Sequence, residues 1–222
     1  MIPGRPIRAV IFDLDGTLFD SLPLVLRAFQ HALEPFGGRP TMETFAALGG
    51  PPEKIFPMLI SDPQHVPEAM VRLRQFHADH PELIQLFPGA LDLLNELRRQ
   101  QMKLAIWTGR DRASTLPLLA VHGLEDFFSA MVCGDDFTSH KPDPTGLREI
   151  LRILAVEPAH TLFMGDADVD VIGGAHLSVD TLLITHGRAP AAEIERCAAA
   201  MVAAPAEAYA WVRQRLQLAA GS

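Results

Sequence analysis

Cysteine is scarce in this chain of 222 residues: Cys133 and Cys197 are the only two, and no C-x-x-C spacing occurs. A disulfide framework is excluded, and a reducing compartment is the expectation. Positive charge is in deficit, with a net charge of −8 and a sequence pI of about 5.5. That argues against nucleic acid as a partner, because phosphate backbones are bound by broad basic surfaces. Small anions remain possible where positive groups are placed locally. Lysine is rare, with Lys54, Lys103 and Lys141 standing against 16 arginines, so none is lightly read as surface filler. No apolar run approaches the roughly 18 residues of a membrane-spanning helix. The first such run stops at Asp13, too short for a signal-peptide core. A cytoplasmic protein with no membrane partner is expected. Internal repeats and low-complexity linkers are also missing.

What is present suits one or two compact domains. Hydrophobic residues make up 48% of the chain and charged residues 21%, enough to bury about 70% of the unfolded surface. Near-continuous apolar runs occur at "RAVIF" (Arg8–Phe12), "KLAIWT" (Lys103–Thr108), "AMVCG" (Ala130–Gly134), "TLFMG" (Thr161–Gly165) and "TLLIT" (Thr181–Thr185). Such runs read as strands buried on both faces, the pattern of a parallel sheet. Between them, "GALDLLNELRRQ", "STLPLLAVHGL" and "PTGLREILRILA" repeat apolar residues at i, i+3 and i+4, as amphipathic helices do. The alternation predicts an open α/β sheet with helices on both faces. From Leu22 to Phe87 only helical patterns are found, predicting a helical insertion. Helices inserted at a strand's C-terminal end suit a lid over the place where α/β sheets bind ligands. The tail from Ala191 to Leu218 is Ala-rich and amphipathic, and predicts one or two closing helices.

The unusual polar residues all follow predicted strands. "VIFDLDGTLFDS" places Asp13 and Asp15 at the end of the first, their side chains pointing the same way because strand side chains alternate. Thr108, Gly109 and Arg110 follow the next, Lys141 lies in "SHKPDP" after the third, and "MGDADVD" supplies Asp166 and Asp170. In a parallel sheet these ends share one rim. Four carboxylates and one ammonium cannot share a desolvated cleft stably, which implies a divalent cation. Oxygen donors alone suit Mg²⁺, which keeps waters and shares itself with a substrate phosphate.

"DLDGTLFDS", "WTGR", "KPDP" and "GDADVD", in that order, resemble the four motifs of the haloacid dehalogenase superfamily of aspartate-nucleophile hydrolases, over about Arg8 to Gly187. The insertion is similar to the α-helical cap of phosphoglycolate phosphatases and β-phosphoglucomutases. The resemblance implies a Rossmann-like core over 1–21 and 88–222 with a hinged cap over 22–87. It implies Asp13 as nucleophile, Asp15 as general acid and then base, and Thr108 and Lys141 as holders of the transferring phosphoryl group. Asp166, the Asp13 carboxylate and the Asp15 carbonyl would hold Mg²⁺, with Asp170 linked through water or orienting the site. Gly109, Arg110 and, in the cap, Lys54 beside the Gly49–Gly50 turn are candidate substrate contacts. Asp20 and Ser21 are read as a cap or hinge for the helix that follows.

Departures from the pattern bear on the reaction. Many relatives carry Asn or Ser where Gly109 stands, and Ser or Thr where Ala167 stands. Dehalogenases and phosphonatases lack the second acid, so Asp15 argues against both chemistries. β-Phosphoglucomutases carry a histidine where this chain has Val25, and tend to have Glu where it has Gly165. The expectation is therefore a phosphatase acting on a small phosphorylated metabolite, phosphoglycolate-like or a sugar phosphate, as a monomer or homodimer. A phosphomutase, or less readily an inactive phosphate-binding regulator, is the alternative.

Overall fold

A computed structural model describes residues 6–41, 52–80 and 83–217. The first strand, β1 (Ala9–Phe12), has every residue at 0% exposure. A tight turn follows, then β2 (Phe19–Asp20), α1 (Leu22–Leu33), α2 (Pro52–Leu59), α3 (Val66–Asp79) and β3 (Gln85–Leu86). Next come α4 (Ala90–Arg99), β4 (Lys103–Trp107), α5 (Arg112–Val121), β5 (Ala130–Val132) and α6 (Thr145–Leu154). The chain continues through β6 (Thr161–Gly165), α7 (Asp168–His176), β7 (Asp180–Ile184), α8 (Ala192–Cys197), β8 (Ala200–Val202) and α9 (Pro205–Leu216).

Six strands form one parallel sheet in the order β5-β4-β1-β6-β7-β8. This is the α/β architecture of a Rossmann-like fold. The runs at β5, β4, β1, β6 and β7 are apolar because both faces are covered by helices. On one side, Leu147, Ile150, Leu151 and Leu154 of α6 recur every three or four residues and pack on Ala105, Trp107, Ala130 and Val132. The helix stops at Ala155, whose φ of +49° is the left-handed close common at helix ends. From β1 the chain winds outward through β4 and β5, then crosses back to β6 on β1's other flank. The strand order thus reverses between β1 and β6, and open α/β sheets bind ligands at such a point, outside the strands' carboxyl ends.

Two compact units are present, Met1–Asp20 with Leu86–Ser222, and Ser21–Gln85. The second has its own apolar core. Ala28, Phe29, Ala32 and Leu33 of α1 meet Ile55 and Phe56 of α2 and Ala69, Met70 and Leu73 of α3. Phe29 and Phe56 pack edge to face with ring centres 5.0 Å apart, a geometry worth about 1 kcal/mol beyond area burial.

Three sequence expectations need correction. The tail holds the helices α8 and α9, but between them lies β8, an edge strand unforeseen because three residues in an alanine-rich stretch carry no period. The interval from Leu22 to Phe87, where only helical patterns are expected, contains β3, two residues long, which pairs with β2. Ser21 occupies the N-cap position of α1 but makes no side-chain capping bond. The segment "TMETFAAL" lies outside the described residues from position 42 onward.

Candidate active site

Asp13 continues β1 at the reversal point, its backbone N–H donating to the Met164 carbonyl of β6 at 2.8 Å. Thr108 is placed likewise at the end of β4, donating from its N–H to Val132 of β5 at 3.0 Å. The neighbouring strand therefore sets the depth of each functional residue.

Lys141 reaches into this rim from the loop between β5 and α6. Its Nζ donates to Asp13 Oδ1 and Asp170 Oδ1, both at 2.8 Å, and its side chain is 9% exposed. The ammonium lies 5.1 Å from the centre of the Trp107 ring and 5.3 Å from that of Phe163, within reach of their negative π-faces. Trp107 has room there because two helices present glycine to it. A Cβ on Gly146 would stand 2.7 Å from the indole nitrogen, and one on Gly173 would stand 2.6 Å from the ring's far edge. Burial opposes the charge on Lys141, but Asp13 and Asp170 outweigh it and push its pKa up to about 12. It is a fixed cation.

One cation does not balance the acids. Asp13, Asp166 and Asp170 each offer a carboxylate oxygen, all within 4.8 Å of one another. Burial raises Asp13 to about 8, Lys141 opposes that rise, and Asp170 and Asp166 add to it. Burial, then Asp170, raises Asp166 to about 7. Asp170 is already committed: Oδ1 takes Lys141, and Oδ2 accepts the Ala167 N–H at 3.0 Å. The Asp166 carboxylate accepts no hydrogen bond from another described residue. Oxygen-only and over-charged, with Asp13 and Asp170 buried and Asp166 partly so, this donor set could hold a hard divalent cation such as Mg²⁺.

The loop around the rim is built on close approaches. His186 Nε2 meets the Gly16 carbonyl at 2.7 Å, and Arg188 donates to the Asp166 carbonyl at 2.8 Å. From α9, the buried Tyr209 hydroxyl donates to the Thr17 carbonyl at 2.6 Å. None of His186, Arg188, Tyr209, Trp107 or Gly173 stood out in the sequence. Only the Gly173–Gly174 pair carried a signal, since glycine inside a helix costs about 1 kcal/mol unless packing requires it.

Asp15 takes a separate direction. Its carboxylate is gripped by Arg110, Nε to Oδ2 at 3.0 Å and the terminal nitrogen to Oδ1 at 2.7 Å. Thr108 Oγ1 accepts the Arg110 N–H at 3.1 Å, which leaves the hydroxyl hydrogen to donate elsewhere. At Gly109 an added Cβ would meet nothing within 4 Å. Asp13, Asp15, Thr108, Arg110, Lys141, Asp166 and Asp170 thus share one rim. The Lys54 side chain and the Gly49–Gly50 turn lie outside the described residues.

A family model for haloacid dehalogenase-like hydrolases matches residues 10–184. A pyrophosphatase PpaX from Halalkalibacterium halodurans is 32% identical over 181 residues, covering 80% of this chain and 83% of that protein. A plasmid-encoded phosphoglycolate phosphatase of Cupriavidus necator is 33% identical over 197 residues, covering 83% of each chain. Among solved structures, a candidate β-phosphoglucomutase from Thermotoga maritima is similar with a TM-score of 0.81 and 26% identity. That match covers 94% of this chain and 99% of the other.

Proposed function

This chain belongs to the haloacid dehalogenase-like hydrolases, and from that premise we propose a Mg²⁺-dependent phosphatase of small phosphate esters acting through an aspartyl-phosphate. The observation that carries this reading is Lys141, held at 2.8 Å from both Asp13 and Asp170. A nucleophilic carboxylate must approach an anionic phosphoryl group, and a buried ammonium beside it offsets that repulsion. Asp13, Asp166 and the Asp15 carbonyl would hold Mg²⁺, with Asp170 linked through water or orienting the site, and the ion would supply positive charge to offset the carboxylates and the phosphoryl group.

In the first half-reaction an Asp13 carboxylate oxygen forms a bond to phosphorus while the bond from phosphorus to the leaving oxygen breaks. That oxygen takes the proton of the Asp15 carboxyl and departs as the alcohol. The Thr108 hydroxyl and Lys141 hold the equatorial oxygens. In the second half-reaction Asp15, now a carboxylate, takes a proton from water as the water oxygen attacks phosphorus. The Asp13–phosphorus bond breaks, phosphate leaves, and Asp15 is again protonated.

We assign the helical insertion over 22–87 the cap's role, selecting the substrate. The relatives' names support phosphoglycolate and pyrophosphate as first substrates to assay, beside sugar phosphates. Free thiols at Cys133 and Cys197 support a reducing, cytoplasmic setting.

The likeness to a candidate β-phosphoglucomutase favours a second reading, a phosphomutase. Against it, a Cβ at Gly165 would stand 2.3 Å from Asp170 Oδ2, so no glutamate fits before Asp166 without displacing Asp170. Val25, where a mutase has histidine, packs on the insertion's apolar core. Incubation with a sugar 1-phosphate separates the readings, since a phosphatase frees phosphate and a mutase yields the 6-phosphate. Asp13→Asn is expected to abolish hydrolysis of p-nitrophenyl phosphate with Mg²⁺ present; unchanged turnover would sink the proposal.

A further inference from the structure

We infer that Arg110 is the positioning residue for Asp15, setting the direction in which that carboxyl faces the leaving oxygen rather than binding the substrate's phosphoryl group. The inference rests on the phosphatase reading above. Its first support is the fork: Nε and a terminal nitrogen of one guanidinium meet both oxygens of one carboxylate. Such a pair fixes the plane of the carboxylate as well as its position, which an ammonium cannot do. Each Asp15 oxygen keeps a second lone-pair direction, so the grip leaves a site for the proton.

The second support is the root of Arg110, which is pinned on both sides. Its N–H is taken by Thr108 Oγ1 at 3.1 Å, and its carbonyl accepts the Gly134 N–H at 2.8 Å. The contact with the β5 loop is close enough that a Cβ on Gly134 would lie 2.2 Å from the Gly109 carbonyl oxygen. Three neighbouring strand ends thus converge on one carboxylate: Asp15 follows β1, Arg110 follows β4, and Gly134 follows β5. The side chains are 15% exposed for Arg110 and 35% for Asp15. The arginine is the buried partner, and the acid keeps an open face.

A group acting through the general acid has a kinetic signature different from one that binds phosphate. p-Nitrophenolate leaves readily without a proton, whereas phenolate needs one more. Arg110→Met keeps the apolar stem and removes the fork. The expected result is a loss of about 100-fold in kcat on phenyl phosphate and less than about 5-fold on p-nitrophenyl phosphate. Inhibition by inorganic phosphate should stay within about 3-fold of wild type, Arg110→Lys should recover part of the loss, and Arg110→Met should add nothing in an Asp15→Asn background. Equal losses on both esters with weakened phosphate inhibition would instead make Arg110 a substrate contact. Equal losses with a lowered melting temperature would make it structural, and a gain in turnover would make the pair a resting lock; each overturns the inference. Failure of the parent reading shows differently, as wild-type turnover that survives Asp13→Asn.

Discussion

Gly16 and Asp166, from turns after different strands, approach so closely that a Cβ on Gly16 would stand 2.2 Å from Asp166 Oδ2. Gly16 also has φ +75°, a region costing an L-residue about 1–2 kcal/mol. The close approach of this turn to Asp166 therefore exists only because position 16 has no side chain. Gly16→Ala should displace Asp166, lowering kcat by about 100-fold or more. Mg²⁺ affinity should weaken in parallel, as a thermal-shift titration with the metal would record.

Lys141→Met should be more severe. Removing one partner of a buried ion pair leaves the remaining charge uncompensated, at about 3–5 kcal/mol. Here two carboxylates lose their cation together. Turnover on any phosphate ester should become undetectable, with Asp13 pushed further toward protonation once Lys141 no longer opposes its rise. Lys141→Arg should not restore it, because a planar fork does not fit a slot walled by Trp107 and Phe163.

Metal dependence should itself vary with pH. Asp13 and Asp166 are raised from 3.8 to about 8 and about 7. The folded, metal-free protein therefore binds more protons than the unfolded chain between roughly pH 4 and 8, and its stability falls as pH rises through that window. Mg²⁺ needs both groups ionised, so its binding displaces protons. The rise in melting temperature on adding Mg²⁺ should be larger at pH 8 than at pH 6. Calorimetry in two buffers of different ionisation enthalpy should register proton release. A rise independent of pH, with no protons released, would contradict the charge balance described for the rim.

Tyr209→Phe removes one buried hydroxyl and strands the Thr17 carbonyl, whose bond was 2.6 Å long. The cost should be about 1–2 kcal/mol, a melting temperature lower by about 2–8 °C at this chain length. The loss in kcat should be small, because Tyr209 supports the turn without facing substrate. Circular dichroism melts beside p-nitrophenyl phosphate kinetics separate the two effects.

How much of this was legible in the sequence depended on range. The inner strands announced themselves because burial on both faces makes a run such as Ala9–Phe12 wholly apolar. The members of the rim could be read because each follows such a run. The ribbon strands and the β8 edge could not, unlike the opposite edge β5: β8 is three residues long with Met201 37% exposed, so no face imposes a pattern on it. Pairings were the other blind spot. Arg110 was a candidate for the substrate, yet its partner is an acid 95 residues away, and nothing local marks that choice. Tyr209 was hidden for the same reason, since its partner lies 192 residues away. The close approaches at glycines 16, 146, 165 and 173 became visible only when the atoms that a Cβ would strike were known.

Asp13 is expected to carry the phosphoryl group during turnover. Turnover of a phosphate ester should be quenched in acid within the first cycle, and the peptide spanning Ala9–Asp20 examined by mass spectrometry. A phosphoryl adduct on Asp13 is expected, lost on mild alkaline treatment and missing from Asp13→Asn. Steady release of phosphate with no adduct on Asp13, or an adduct on another residue, would contradict it.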